Sequence, residues 1–186
     1  MSLISRVKSI LTRRRLKQAS TKSLSRVNHD FVDIDQAKRV GFIVNVQDIN
    51  EKDKGRLTQY VNQLKKAKKD VFLVELNFIK KSTPIFTNLS NGVFINPEKL
   101  NWLGLPTTDV ESKFAQTEMD ILMNFDNSNN PTAQYLCRLA NARTRTGVYV
   151  EGQEACYELM LSLPENGQKV PAMLDQFDFY LKMLEK

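Results

Sequence analysis

The stretch from Gly41 to Phe78 constrains the fold more than any other. Gly41-Phe-Ile-Val-Asn-Val46 is a short apolar run of strand composition. Asn50 is suited to cap a helix running from about Glu51 to Lys69, with Leu57, Tyr60, Val61 and Leu64 on its inner face. Asp70-Val-Phe-Leu-Val-Glu-Leu-Asn-Phe78 then reads as a second strand. A strand, a helix and a strand with short connections imply two parallel strands joined by a right-handed crossover.

The rest of the chain repeats that alternation. Residues 79–108 are irregular and rich in Pro, Asn and Gly, with a short strand expected around Phe86 and Val93-Phe-Ile95. A helix is expected from Thr108 to Gln116 and a strong strand at Met119-Asp-Ile-Leu-Met-Asn-Phe125. The turn Asp126-Asn-Ser-Asn-Asn-Pro131 leads into a helix from Ala133 to Ala142, with proline near its first turn. Strands are expected at Arg145–Val150 and Tyr157–Leu163, and a closing helix from Lys169 to Leu184. Strands alternating with helices predict a three-layer Rossmann-like α/β sandwich with a mostly parallel sheet, spanning residues 38–186. With 41% hydrophobic and 26% charged residues, a body of that length can bury one core.

Charge is concentrated ahead of that body. Residues 1–30 carry Arg6, Lys8, Arg13, Arg14, Arg15, Lys17, Lys22 and Arg26 against Asp30 alone, a charge of +7, whereas the chain as a whole is +6. Leu3, Ile4, Val7, Ile10 and Leu11 recur at helical spacing between those cations. Residues 1–37 therefore read as a basic amphipathic arm and linker, and a basic helix precedes the sheet. Such an arm attracts polyanions. The leading expectation is a non-enzymatic protein that binds RNA, or a ribonucleoprotein such as the ribosome, through those eight cations. Arg13-Arg-Arg15 offers planar donors suited to phosphate. A peripheral adaptor on an anionic membrane surface is the alternative, although the apolar face offers no aromatic residue. Docking on a protein partner, or a simply solvated tail, stays open. There is no run of about 20 apolar residues to cross a membrane and no signal-peptide core, so a cytoplasmic location is expected.

From Gly41 onward the chain resembles an uncharacterised family of short basic proteins of Bacteroidota, a domain of unknown function. Gly41-Phe-Ile-Val44, Leu100-Asn-Trp-Leu-Gly-Leu-Pro106, Met119–Phe125 and the terminal helix carry the resemblance, and the basic N-terminal segment is similar too. That family brings no activity with it. A local resemblance joins Met119–Val148 to the N-terminal half of heptosyltransferase-type glycosyltransferases, through Asp120–Asp126, the helix Tyr135–Ala142 and the segment Arg143–Gly147. It implies a Rossmann-like βαβ unit, and the third functional alternative, a small-ligand-binding domain derived from such a fold. The nucleotide-sugar half has no counterpart in the remaining residues.

Open parallel sheets bind ligands beyond the carboxyl ends of their strands. Those ends place Asp48 after the first strand and Asp126, Asn127 and Ser128 after the strong one, a candidate ligand cleft. The same residues also suit turn initiation and helix capping. No catalytic group is assigned. The turn Gln47–Asp53 lacks the glycines that let backbone N–H groups approach a phosphate, so no nucleotide cofactor is expected, and no metal either. His29, the sole histidine, falls in the linker. Cys137 and Cys156 lack metal-ligand spacing and are expected as buried thiols. Trp102 is expected to peg its loop into the core. Lys65, Lys66, Lys68, Lys69, Lys80 and Lys81 form a second basic group, explained either by the helix dipole or by a wider anion footprint.

Overall fold

The apolar run at Gly41 becomes a central strand. The computed structural model describes residues 3–24, 30–87, 91–164 and 169–183. Its six strands are β1 (Arg39–Asn45), β2 (Asp70–Leu76), β3 (Gly92–Ile95), β4 (Glu118–Asn124), β5 (Asn141–Val148) and β6 (Leu159–Leu161). They form one sheet in the order β3-β2-β1-β4-β5-β6, with every neighbouring pair parallel. This is the strand order of a doubly wound α/β fold. The helices are α1 (Leu3–Leu24), α2 (Glu51–Lys66), α3 (Thr108–Gln116), α4 (Pro131–Leu139) and α5 (Val170–Met183).

The two sheet faces bury separate cores. Phe42, Val44, Leu73, Ile121 and Met123 face α2 and α5, where Leu57, Val61, Met173 and Phe177 are fully or almost fully buried. Ile43, Phe72, Val74 and Leu122 face α3 and α4, against Val110, Phe114 and Leu136. The connections leading from β1 out to β3 lie on the first face, and those leading from β3 across to β6 on the second. Crossovers of a single hand require that division.

Local signals explain the element ends. Asn50 caps α2 through a reciprocal box with Asp53: its side chain accepts from Asp53 N at 3.0 Å, while Asp53 Oδ2 accepts from Asn50 N at 3.3 Å. Asn130 caps α4 and Pro131 opens it. Between β2 and β3 a loop replaces the usual helix, and Glu75 holds it. That carboxylate is 3% exposed and accepts the N–H groups of Ile85 and Phe86 at 2.8 to 3.1 Å. Burial raises its pKa, and those two N–H groups oppose the rise.

Close approach fixes Gly92. A Cβ there would lie 2.1 Å from the Leu73 carbonyl oxygen on the paired strand. Gly92→Ala is expected to destabilise the fold by about 1–3 kcal/mol, because the obstruction is backbone rather than a side chain that can turn away. An earlier urea midpoint is the expected readout. An unchanged midpoint would show that β3 slides freely.

The N-terminal segment is more engaged with the body than the arm-and-linker reading implied. Helix α1 packs against α4, with Ala19 buried and Leu16 half-buried there. Within the segment read as linker, Val32, Ile34 and Ala37 lie in the α2–α5 core. Val32 N donates to Thr144 Oγ1 at 2.8 Å, and Thr144 Oγ1 donates to the Asp30 carbonyl at 2.7 Å. Lys69 Nζ ties the segment down further by donating to the carbonyls of Asp35 and Ala37.

Candidate functional site

Strand order reverses between β1 and β4, where the chain leaves β1 for one face of the sheet and β4 for the other. Beyond the carboxyl ends of such a pair lies the usual ligand position in open parallel sheets. Three of the residues expected there converge. Asp126 is buried; Ser128 Oγ donates to its Oδ1 at 2.6 Å, and Asn45 Nδ2 lies 3.3 Å from that oxygen and 3.2 Å from Ser128 Oγ. Asp48 joins the group, interacting with Asp126, Ser128 and Asn45. Asn127 is exposed in the same turn.

Asp126 also shapes its own turn, since its Oδ2 accepts from Asn130 N at 2.8 Å. Its backbone N–H donates to Asn124 Oδ1 at 3.0 Å, and Asn124 Nδ2 meets the Tyr157 hydroxyl at 2.7 Å. Tyr157 in turn lies over Gly147, where a Cβ would come within 2.4 Å of its ring. Asn45 and Asn124 are therefore site residues that the strand reading passed over. The available signal was an amide at the carboxyl end of an otherwise apolar strand.

The electrostatics at Asp48 are unfavourable to its charge. Burial raises its pKa first, and the neighbouring Asp126 carboxylate raises it further, against hydrogen bonds with Ser128 and Asn45. Among the described residues nothing donates to its buried Oδ2. The folded state thus favours the protonated form. That contribution is complete at low pH and is lost as the pH rises through the elevated pKa. Asp48→Asn is expected to raise the melting temperature at pH 7, and the gain is expected to fade as the pH falls through the elevated pKa and to be gone below the ordinary carboxylate value of 3.8. Melts at neutral and acid pH test this, and a loss of stability at pH 7 would contradict it.

The basic helix lies on the other side of α4. Arg6, Lys8, Arg13, Arg14, Arg15 and Lys17 are all exposed. The side chain of Lys22 and the whole of Arg26 and His29 lie outside the described residues. Helical spacing puts Thr12, Leu16 and Ala19 on the face toward α4, and Val7, Ile10, Arg14 and Lys17 on the opposite face. Val7 and Ile10 are 45% and 54% exposed, so the apolar stripe of this helix points outward. Arg15 acts electrostatically on Tyr135 of α4, whose hydroxyl pKa is raised mainly by burial and also by Glu111.

The match to a known family covers almost the whole of this architecture: residues 8–184 fit the model of a family of unknown function, DUF6913. The chain belongs to that family. The match begins inside α1 and ends just beyond α5, so DUF6913 takes in most of the basic helix as well as the sheet. No curated protein and no solved structure matches the chain.

Other expected site residues fall out differently. Trp102 does not peg its loop; it is 63% exposed. Asn101 does that work instead, its Oδ1 accepting from Leu103 N and Leu105 N, with Leu105 buried and a Leu100–Pro106 bridge closing the turn. Cys137 and Cys156 are buried free thiols, and burial raises both of their pKa values. Lys65, Lys66, Lys68, Lys80 and Lys81 are exposed, whereas Lys69 is spent on backbone carbonyls. Among the described residues no helix is long and apolar enough to cross a membrane.

Proposed function

We propose that this protein is a non-enzymatic, cytoplasmic binding module that engages RNA, or a ribonucleoprotein such as the ribosome, through α1. The observation that carries the reading is the charge of that helix. Leu3–Leu24 contains seven cations and no acid, and it is held against α4 rather than trailing from the fold. A fixed helix presents its cations at a set spacing, which lowers the ordering cost of binding. Phosphates are the natural counterpart, and contacts to them carry no sequence information. The protein is therefore expected to bind RNA strongly in low salt and with little sequence preference.

Capture from native lysate tests the reading. The full-length protein is expected to retain RNA-containing complexes, and ribonuclease treatment is expected to release them. The comparison is the Arg6→Ala/Arg14→Ala/Lys17→Ala variant, because deleting α1 would uncover the buried face of α4. Complexes that survive ribonuclease would contradict the proposal.

One observation favours the membrane alternative. Val7 and Ile10 face solvent beside Arg14 and Lys17, an arrangement that suits an anionic lipid surface. Val7→Asp separates the two readings: it abolishes vesicle binding if the helix lies on lipid and leaves RNA binding nearly intact if it does not.

A further inference from the structure

A groove of about 460 Å³ runs between α1 and the carboxyl edge of the sheet. Its size is within the range of small-molecule sites, roughly 300–1,000 Å³. Lys8 and Arg13 line it from α1, with the hydroxyls of Ser9 and Thr12 between them. Leu16 and Leu103 give it an apolar floor. The opposite wall is made of amides, Asn129, Gln134 and Gln153, and none of the lining residues is acidic.

That wall is built rather than incidental. Asn129 sits in the left-handed region at φ 58°, a conformation that costs energy and persists where its surroundings hold it. Its Oδ1 accepts from the side-chain amides of both Gln134 and Gln153, and its carbonyl accepts from Gln134 Nε2 at 2.9 Å. With Oδ1 committed to two donors, the planar Asn129 amide turns its Nδ2 the other way as a donor. Gln134 is 9% exposed, and Gln153 is braced in turn by Cys156 Sγ, which donates to its Oε1. Asn129 follows β4 and Gln153 follows β5, so the wall stands at the sheet edge where α/β folds bind ligands.

We propose that this groove binds a small phosphorylated polyol of the sugar-phosphate class. Lys8 and Arg13 take the phosphate, a dianion that two cations in a concave, acid-free site are placed to balance. Ser9, Thr12 and the amide wall offer donors and acceptors to a polyhydroxylated body, and Leu16 and Leu103 underlie its apolar face. A free phosphate would leave the amide wall unused, and a neutral sugar would leave the two cations unmatched. This site goes beyond the RNA reading: it uses the side of α1 that carries Lys8 and Arg13, whereas Arg14 and Lys17 lie on the face turned away from α4.

Titration calorimetry of the full-length protein tests it, with glucose 6-phosphate, ribose 5-phosphate and glycerol 3-phosphate as probes and glucose and inorganic phosphate as controls. At least one sugar phosphate is expected to bind with one-to-one stoichiometry, at least tenfold more tightly than inorganic phosphate, and glucose is expected not to bind. Arg13→Ala and Gln153→Ala are each expected to weaken that binding tenfold or more. Melting curves confirm that the variants fold. Arg14→Ala is expected to leave sugar-phosphate binding unchanged while weakening RNA binding, and Gln153→Ala is expected to do the reverse, so either reading can fail alone. No binding by any of the three phosphates at millimolar concentration would overturn the proposal. So would an equal loss from Arg14→Ala and Arg13→Ala, which would mark a diffuse charge effect.

Discussion

Glu158→Ala is expected to cost the fold about 3–5 kcal/mol, the usual penalty for removing one partner of a buried ion pair. For a chain of this size that corresponds to a fall in melting temperature of roughly 6–20 °C. Arg145 is 3% exposed in β5, and its Nε donates to Glu158 Oε2 at 2.9 Å and lies 3.2 Å from Oε1. The carboxylate also accepts from Arg145 N at 2.7 Å, and Glu158 N donates back to the Arg145 carbonyl. Arg145 Nη1 reaches the Cys137 carbonyl on α4 at 3.2 Å. The pair thus joins the approach to β6, strand β5 and helix α4, and the alanine variant strands a buried guanidinium. The double replacement Arg145→Met/Glu158→Leu is expected to recover much of the loss, because it removes both charges from the interior. If Glu158→Ala melts with the parent protein, the pair does not hold these elements together.

The second large effect is on RNA. Arg6→Ala/Arg14→Ala/Lys17→Ala removes three exposed cations from α1 and leaves Thr12, Leu16 and Ala19, its face toward α4, in place. If each neutralises one phosphate, the slope of log K against log salt is expected to flatten by about two units, at roughly 0.7 per contact on a single strand. Different RNA sequences are expected to lose affinity about equally. Filter binding across several salt concentrations reads both quantities. A loss confined to one sequence would point to base readout instead.

Elements with a clear period and a clear cap were legible in the sequence. β1, α2 and β2 fall close to their expected bounds because Asn50 marks the helix start and the flanking runs are apolar. The boundary between α4 and β5 was not legible. The helix was expected to Ala142 and the strand from Arg145, yet α4 ends at Leu139 and β5 begins at Asn141. No glycine or proline marks that turn, and Ala140 alone makes it. The packing of α1 was not legible either. The apolar recurrence at Val7 and Ile10 pointed to an amphipathic arm ahead of the body, whereas α1 packs on α4 through Thr12, Leu16 and Ala19. Close contact with a neighbouring helix favours small side chains, which hydrophobic spacing does not record.

The candidate site was half legible. Asp48 and Asp126 announce themselves as acids at strand ends, but their proximity depends on β1 lying beside β4, a long-range fact that residues 46–128 do not encode locally. Asn45 and Asn124 were hidden inside strands. Gln134 and Gln153 were hidden further, because the groove they line exists only once α1 folds back over α4.

The most direct test of α1 as an anion-binding helix is a salt titration of the unmodified protein against single-stranded RNA. Four to six phosphate contacts predict a slope of about −3 to −4 in log K against log salt. A slope near that value, reduced in the triple variant and insensitive to RNA sequence, is the expected result. No binding in low salt, or binding that ignores salt, would contradict the account and leave the basic helix to another partner.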